Sequence, residues 1–359
     1  MTREEIEADL LDWMASEPTR EDDRRFERLA LALFRWQAAH CAPYGMLCKN
    51  RSLEPASVVG WQAIPAVPTG AFKETPLRGF PPEATIKTFR TSGTSSDRRG
   101  ELHLDTLALY EASLFPSFTR GVLSGIDGDC TLLILAPAAL EAPDSSLSHM
   151  FEVMVRRRGT QDSGFHLRGG KLDTTGLEAA VDSAEGPVVV CGTAFAFVHW
   201  MEELRANGRA LSLPSGTRIM ETGGFKGRAR ERTRDELYAE IAETLGVRSS
   251  QIVNQYGMTE LGSQFYDSTF ALPGAPRHKM RPPWVRVRLI DPVTGDDTPS
   301  GEPGMIQILD LANTGSVAAI LTADLGRTVS TGFEVLGRDA AAEERGCSIA
   351  IDEMLGAGY

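Results

Sequence analysis

The sequence predicts an α/β fold with a largely parallel sheet, and three observations carry that expectation. From Cys130 to Gly257, short apolar runs alternate with amphipathic stretches of helical length. One of the runs, "CTLLILAP", reads as a buried strand, and another, "PVVVCG", is fully apolar, as a strand covered on both faces is. The 359 residues, 42% of them hydrophobic, are enough for one large domain or two ordinary ones with a sizeable core.

The elements follow in order. Arg3 to Met14 and Arg24 to Ala39 place apolar residues at three- and four-residue spacing among charges, which predicts two helices and a helical N-terminal lobe over 1–50. A proline-rich passage follows, with Pro55, Pro65, Pro68, Pro76, Pro81 and Pro82, too irregular for long elements and too apolar for a linker. The loop Thr91 to Gly100 comes next, and "HLDTLALYEASLFPSFTRGVL" after it reads as a helix. Then come a strand at "CTLLILAP", a helix at "SLSHMFEVMVRRRG", a strand at "PVVVCG", a helix from Ala194 to Asn207, a strand at "TRIMETG", a helix from Arg232 to Leu245 and a strand at "QIVNQYG". This α/β core covers 51–270. Beyond it, "WVRVRLID", "GMIQILDL" and "SVAAILT", separated by Gly-containing turns, predict a small β-rich subdomain over 271–337, and 338–359 is a short tail.

Composition removes several function classes. A formal net charge of −12 repels nucleic-acid phosphates and anionic membrane surfaces, so an anionic ligand needs a local site. The acidic, amphipathic start "MTREEIEADLLDWM" lacks the basic and apolar regions of a signal peptide, and no stretch reaches the length of a membrane span, which predicts a cytoplasmic protein. Cys41, Cys48, Cys130, Cys191 and Cys347 are odd in number and form no CxxC pair, so they read as free thiols rather than disulfides or a zinc site.

Two segments carry chemistry. "TFRTSGTSSDRRGE", Thr88 to Glu101, has seven Ser, Thr or Gly residues in its first ten positions. Such a loop offers backbone N–H groups and hydroxyls to a phosphate, and the helical run read directly behind it would add a favourable dipole. It is not a Walker A loop, and "GFHLRGGKLD" also misses that spacing. "NQYGMTE", Asn254 to Glu260, sits at the C-terminal end of a predicted strand, the edge where open α/β sheets bind ligands. There Tyr256 can stack on a base, Asn254 can bond its edge, Gly257 permits a tight turn, Thr259 can donate to a phosphate and Glu260 can hold magnesium.

The order "TSGTSS", "ETGGFKG", "NQYGMTE", "LTADLGR", "GR" resembles the adenylate-forming, acyl-CoA synthetase-like superfamily, whose members activate a carboxylate with ATP to acyl-AMP and pyrophosphate. The resemblance implies their large N-terminal domain, βα sandwich subdomains plus a small β-rich one. It makes Thr91, Ser92, Gly93, Thr94, Ser95 and Ser96 the triphosphate loop and puts Gly223 and Gly224 in the adenine pocket wall. Asn254 and Tyr256 would hold adenine, with Gly257 in the turn, Thr259 the α-phosphate and Glu260 the magnesium. Asp324 and Arg338 would reach the ribose, and His149 would stand beside the carboxylate pocket. The usual glycine and lysine after the phosphate loop are replaced by Asp97, Arg98 and Arg99, so Arg98 or Arg99 would face the β- and γ-phosphates. The sequence ends soon after Arg338, so the full C-terminal lid domain and its lysine are expected to be absent. Lys226 and Lys73 are candidates for the missing cation.

The tail "GRDAAAEERGCSIAIDEML", with "IPAVPTGAFK" and "SLSHMF", is similar to the acyl-protein synthetases (LuxE type) of the fatty-acid reductase system of bacterial bioluminescence. That branch implies a fatty acid as substrate, transfer of the acyl group from AMP to a cysteine near the C-terminus, here Cys347, and delivery to a reductase partner. Nine positions separate Arg338 from Cys347. That length of chain spans at most roughly 30 Å, and Arg345 nearby would favour the thiolate. Two alternatives stand beside this reading: a ligase similar to phenylacetate-CoA ligases that delivers the acyl group to CoA or a carrier protein, and a catalytically inactive nucleotide-binding protein.

Overall fold

The structure is a computed structural model that describes residues 1–92, 98–223, 233–292, 294–329, 331–338 and 352–354. Its contacts separate two compact units. The first contains Met1–Ser117, Met258–Gln264 and His278–Tyr359, and the second Phe118–Gly257 and Phe265–Arg277. The sequence reading draws its divisions at 50, 270 and 337, because composition marks changes of element type and not which distant elements pack together. Among the described residues no helix is long and apolar enough to cross a membrane.

The second unit holds the α/β core. Its strands Thr131–Leu135, Val188–Thr193, Arg218–Thr222 and Ile252–Tyr256 are neighbours in that order and all parallel. Gly164–Phe165 adds a parallel strand beside the first, and Phe265–Asp267 pairs antiparallel with the last. Leu133 and Leu135, Val188 and Val190, Ile219 and Ile252 project to one side, as the two-residue period of a strand requires. They bury against Phe197, Trp200, Met201 and Leu204 of the helix Ala194–Ala206 and Leu237, Ile241 and Leu245 of the helix Arg234–Leu245, spaced three and four apart. Each helix starts at a threonine cap: Thr193 Oγ1 accepts from the Ala196 N–H, and Thr233 and Glu236 form a reciprocal capping box.

The first unit begins with the helices Arg3–Ser16, Asp23–His40 and Ala42–Asn50. The middle one buries Phe26, Leu29, Ala30, Leu33, Phe34 and Gln37 on a single stripe, so one polar residue sits among five apolar ones. Five further strands, Lys279–Met280, Val285–Ile290, Gly304–Asp310, Ala319–Val329 and Gly332–Arg338, form an antiparallel arrangement that accounts for the predicted β-rich part.

One sequence expectation is corrected here. The Ser/Thr/Gly loop does not run into a helix. Lys87–Arg90 and Glu101–Leu104 pair antiparallel on either side of it, and the helix begins only at Ala108. The pairing puts Phe89 opposite Leu102, both fully buried, and Phe89 packs on Tyr110 with ring centroids 5.0 Å apart. Burial of this short hairpin outweighs the helical periodicity that continues through "HLDTLALY". The helix dipole therefore drops out of the case for phosphate binding.

Candidate active site

In the first unit, the hairpin closes where its loop departs. The Thr91 N–H donates to Gly100 O at 2.9 Å, and the Gly100 N–H donates to Thr91 Oγ1 at 2.9 Å. Glu260 lies against this closure: a Cβ added to Gly100 would stand 3.1 Å from Thr91 Cγ2 and 3.5 Å from Glu260 Oε1. The carboxylate therefore lies at van der Waals distance from where a side chain at 100 would begin. Glu260 is buried, 6% exposed. Its turn is held from behind, because Asn313 Nδ2 donates to Glu260 O at 3.0 Å and to Val317 O at 2.9 Å.

Asn313 belongs to a turn that the sequence reading treats only as a strand connector. Gln37 Nε2 donates to Asn313 O at 2.8 Å and to Thr314 O at 3.2 Å, and Gln37 Oε1 accepts from the Ala318 N–H at 3.0 Å. The polar break in the apolar stripe of helix Asp23–His40 thus finds its partners in this turn. Ser316 Oγ donates to Leu77 O at 2.6 Å. Asp310, fully buried, accepts from the Ser263 N–H and Oγ, each at 2.8 Å, and Trp284 Nε1 donates to Ser263 Oγ at 3.0 Å. Burial pushes the Asp310 carboxyl up to about 6, against the opposing pull of these hydrogen bonds. Segment Met258–Gln264, which carries Thr259 and Glu260, is thereby fixed on two sides.

Asp324 and Arg338 face each other across an antiparallel pair, with Arg338 Nε 3.8 Å from Asp324 Oδ1. Both arginines after the loop have partners beside it. Arg98 Nη1 pairs with Glu74 Oε2 at 2.7 Å, and Arg99 Nε donates to Thr91 O at 2.6 Å, tying it to the hairpin backbone. Lys73 is exposed in the single turn Ala71–Glu74. Gly93, Thr94, Ser95, Ser96, Gly224, Lys226, Arg345 and Cys347 lie outside the described residues.

In the second unit, Asn254 and Tyr256 emerge at the C-terminal end of a parallel strand, as the sequence predicts. Register places Asn254 beside Glu221 and Gln255 beside Thr222. Asn254 Nδ2 donates to Glu221 Oε1 at 2.7 Å, and the Tyr238 hydroxyl donates to the same oxygen at 3.0 Å. Thr222 Oγ1 donates to Gln255 O at 3.0 Å and also to Gln255 Oε1. Gly223 follows at φ +84°, a left-handed conformation that side chains with a Cβ resist, so the chain leaves the strand by a turn suited to glycine. The Tyr256 ring lies 6.0 Å from that of its strand partner Phe265. His149 is half-buried in the first turn of helix Ser146–Arg158, next to Met150, whose sulfur accepts from the Tyr266 hydroxyl at 3.5 Å.

Residues 4–356 match the acyl-protein synthetase family, LuxE. The chain belongs to that family. As an acyl-protein synthetase it is an acid–thiol ligase. Over 309 residues, 81% of this synthetase and 79% of the relative, it is 21% identical to a long-chain-fatty-acid–luciferin-component ligase of Aliivibrio fischeri. A ligase of the same description from Vibrio harveyi is 24% identical over 159 residues, 42% of this chain and 40% of its own. The fold is that of the adenylate-forming enzymes. A 2-hydroxyisobutyryl-CoA ligase solved with its acyl-AMP and CoA superposes with TM-score 0.64 at 15% identity, over 89% of this synthetase and 76% of that chain. ATP-bound MatB from Rhodopseudomonas palustris superposes with TM-score 0.51 at 18% identity, over 72% of this synthetase, which spans about half (49%) of MatB.

Glu221, Tyr238, Asp310 and Asn313 are the residues that sequence reasoning missed. Glu221 left one signal: a charged residue inside the apolar strand "RIMET", just ahead of Gly223.

Proposed function

We propose that this acyl-protein synthetase activates a long-chain fatty acid with ATP and magnesium, forms the acyl-adenylate, and moves the acyl group to Cys347 for delivery to a reductase partner. The observation that carries the reading is the buried Glu260 carboxylate at the closure of the Thr91–Gly100 loop. A single carboxylate suits magnesium, which keeps its waters and takes its remaining ligands from the nucleotide phosphates.

The carboxylate of the acid attacks the α-phosphorus, and the bond from that phosphorus to the bridging oxygen breaks, releasing pyrophosphate. Two anions approach in this step. Glu260 would hold a magnesium ion, which would supply charge neutralisation there, while Thr259 donates to the α-phosphate and the Ser/Thr loop donates to the departing phosphates. Asn254 and Tyr256 hold the adenine, Gly223 and Gly224 line its pocket, Asp324 and Arg338 hold the ribose, and His149 borders the acid. The Cys347 thiolate then attacks the acyl carbon, AMP leaves with its phosphate oxygen, and the thiol proton goes to solvent.

Two observations support Cys347 as the acceptor. Cys41, Cys48, Cys130 and Cys191 are all buried, and burial raises each thiol pKa, to about 11 for Cys41 and Cys48, which makes them poor nucleophiles at neutral pH. On the far side of Cys347 the chain is anchored in the first unit, where Arg51 Nε pairs with Glu353 Oε2 at 2.8 Å, Asn50 Nδ2 donates to Glu353 O and Met354 is buried. The test is acid-dependent exchange of pyrophosphate into ATP. Magnesium-dependent exchange with fatty acids is the predicted result, and its absence across a panel of carboxylic acids contradicts the proposal.

A further inference from the structure

We propose that Glu221, backed by Tyr238, is a positioning residue that fixes the Asn254 carboxamide so that the site selects an adenine over a 6-oxopurine. This deepens the nucleotide reading above and rests on it.

Glu221 Oε1 accepts from both the Asn254 amide nitrogen and the Tyr238 hydroxyl, so the carboxyl faces the nitrogen of the carboxamide and not its oxygen. The 2.7 Å contact from Asn254 Nδ2 to Glu221 Oε1 therefore sets which end of the carboxamide points toward the sheet. The other end of the carboxamide is its oxygen, an acceptor. The Asn254 backbone N–H donates separately to Asp267 Oδ2 at 3.1 Å, which holds the strand at this residue beside the same cluster. Asp267 is 1% exposed, Glu221 3% and Tyr238 5%, so the cluster is closed to water.

Tyr238 keeps Glu221 in place. Its hydroxyl donates to the oxygen that Asn254 uses, at 3.0 Å. Burial, then the charges of Glu221 and Asp267, pushes the phenol well above its ordinary pKa, so it stays protonated and stays a donor. Arg277 lies 5.1 Å above the Tyr238 ring and 3.8 Å from Asp267, balancing the second buried carboxylate.

Orientation matters because purines differ at one edge. Adenine presents a 6-amino donor, which an amide oxygen accepts; hypoxanthine and guanine present a 6-oxo acceptor, which needs the amide nitrogen. A carboxamide locked by Glu221 serves the first and opposes the second, since a buried polar group left facing a like partner loses its hydrogen bond.

The experiment compares equilibrium binding of MgATP and MgITP by calorimetry in wild type, Glu221→Gln and Tyr238→Phe. Glutamine can donate as well as accept, so it releases the amide. Glu221→Gln is predicted to lower the ATP-over-ITP preference by about tenfold, and Tyr238→Phe by about threefold, in the same direction. A cluster that only braces the two strands would weaken both nucleotides equally, and an unchanged preference in both variants overturns the inference. If Glu221→Gln does not fold, Tyr238→Phe decides alone. Wild type that binds neither nucleotide overturns the nucleotide reading itself, and this inference with it.

Discussion

Asn313 donates one side-chain nitrogen to the carbonyls of Glu260, at 3.0 Å, and Val317, at 2.9 Å. A buried amide in a turn thus sets the backbone of the residue proposed to hold magnesium. Asn313→Ala leaves both carbonyls without their donor, at a cost of about 1–3 kcal/mol. We predict a lower urea midpoint and weaker magnesium dependence of pyrophosphate exchange. A variant of unchanged stability and exchange would show that the turn does not position Glu260.

Glu260→Gln keeps the shape of the side chain and removes its charge. If Glu260 carries the metal, exchange should fall by roughly 100-fold or more, on the scale of one lost charge-stabilising group. Fold stability should change much less. Exchange at the wild-type rate would remove Glu260 from the mechanism.

Asp324→Ala is predicted to act on binding. Ribose contacts are alike in ground and transition states, so KM for ATP should rise while kcat holds. The pair with Arg338, at 3.8 Å and partly exposed, adds under about 1 kcal/mol of stability, so the variant should melt close to wild type. A fall in kcat at unchanged KM would contradict the ribose role.

Asp310 gives the fold a pH dependence of unusual sign. Burial holds its carboxyl at about 6 when folded, against ~3.9 when unfolded, so between those values the folded state holds more protons. Its contribution to stability is therefore fully present below the unfolded value and is lost as pH rises through about 6, by roughly 3 kcal/mol. Asp310→Asn cannot titrate. The stability of wild type minus that of the variant, from urea melts, should drop between pH 4 and pH 7; a flat difference would contradict the assignment.

Much of this was legible in the sequence, and the parts that were not share a cause. The strands around Leu133 and Val190 and the helices around Met201 and Ile241 announce themselves by continuous or three- and four-residue apolar spacing, since each is buried against its neighbours in a periodic way. "NQYGMTE" lies at the strand end it was expected to occupy. Short pairings carry no such period. Glu101–Leu104 is a strand because Leu102 meets Phe89, and Asn313 matters because Gln37, far away in sequence, reaches its turn. Glu221 acquires its meaning only from the register that sets it beside Asn254.

The central claim is acyl transfer to an internal thiol, and intact mass spectrometry tests it most directly. The protein is incubated with ATP, magnesium and long-chain fatty acids, and the adduct is mapped by peptide with and without neutral hydroxylamine. The account predicts an added acyl group on Cys347, released by hydroxylamine, and absent in Cys347→Ser, which still makes acyl-adenylate. An adduct on Cys41, Cys48, Cys130 or Cys191, or no adduct while free CoA is acylated, would contradict it.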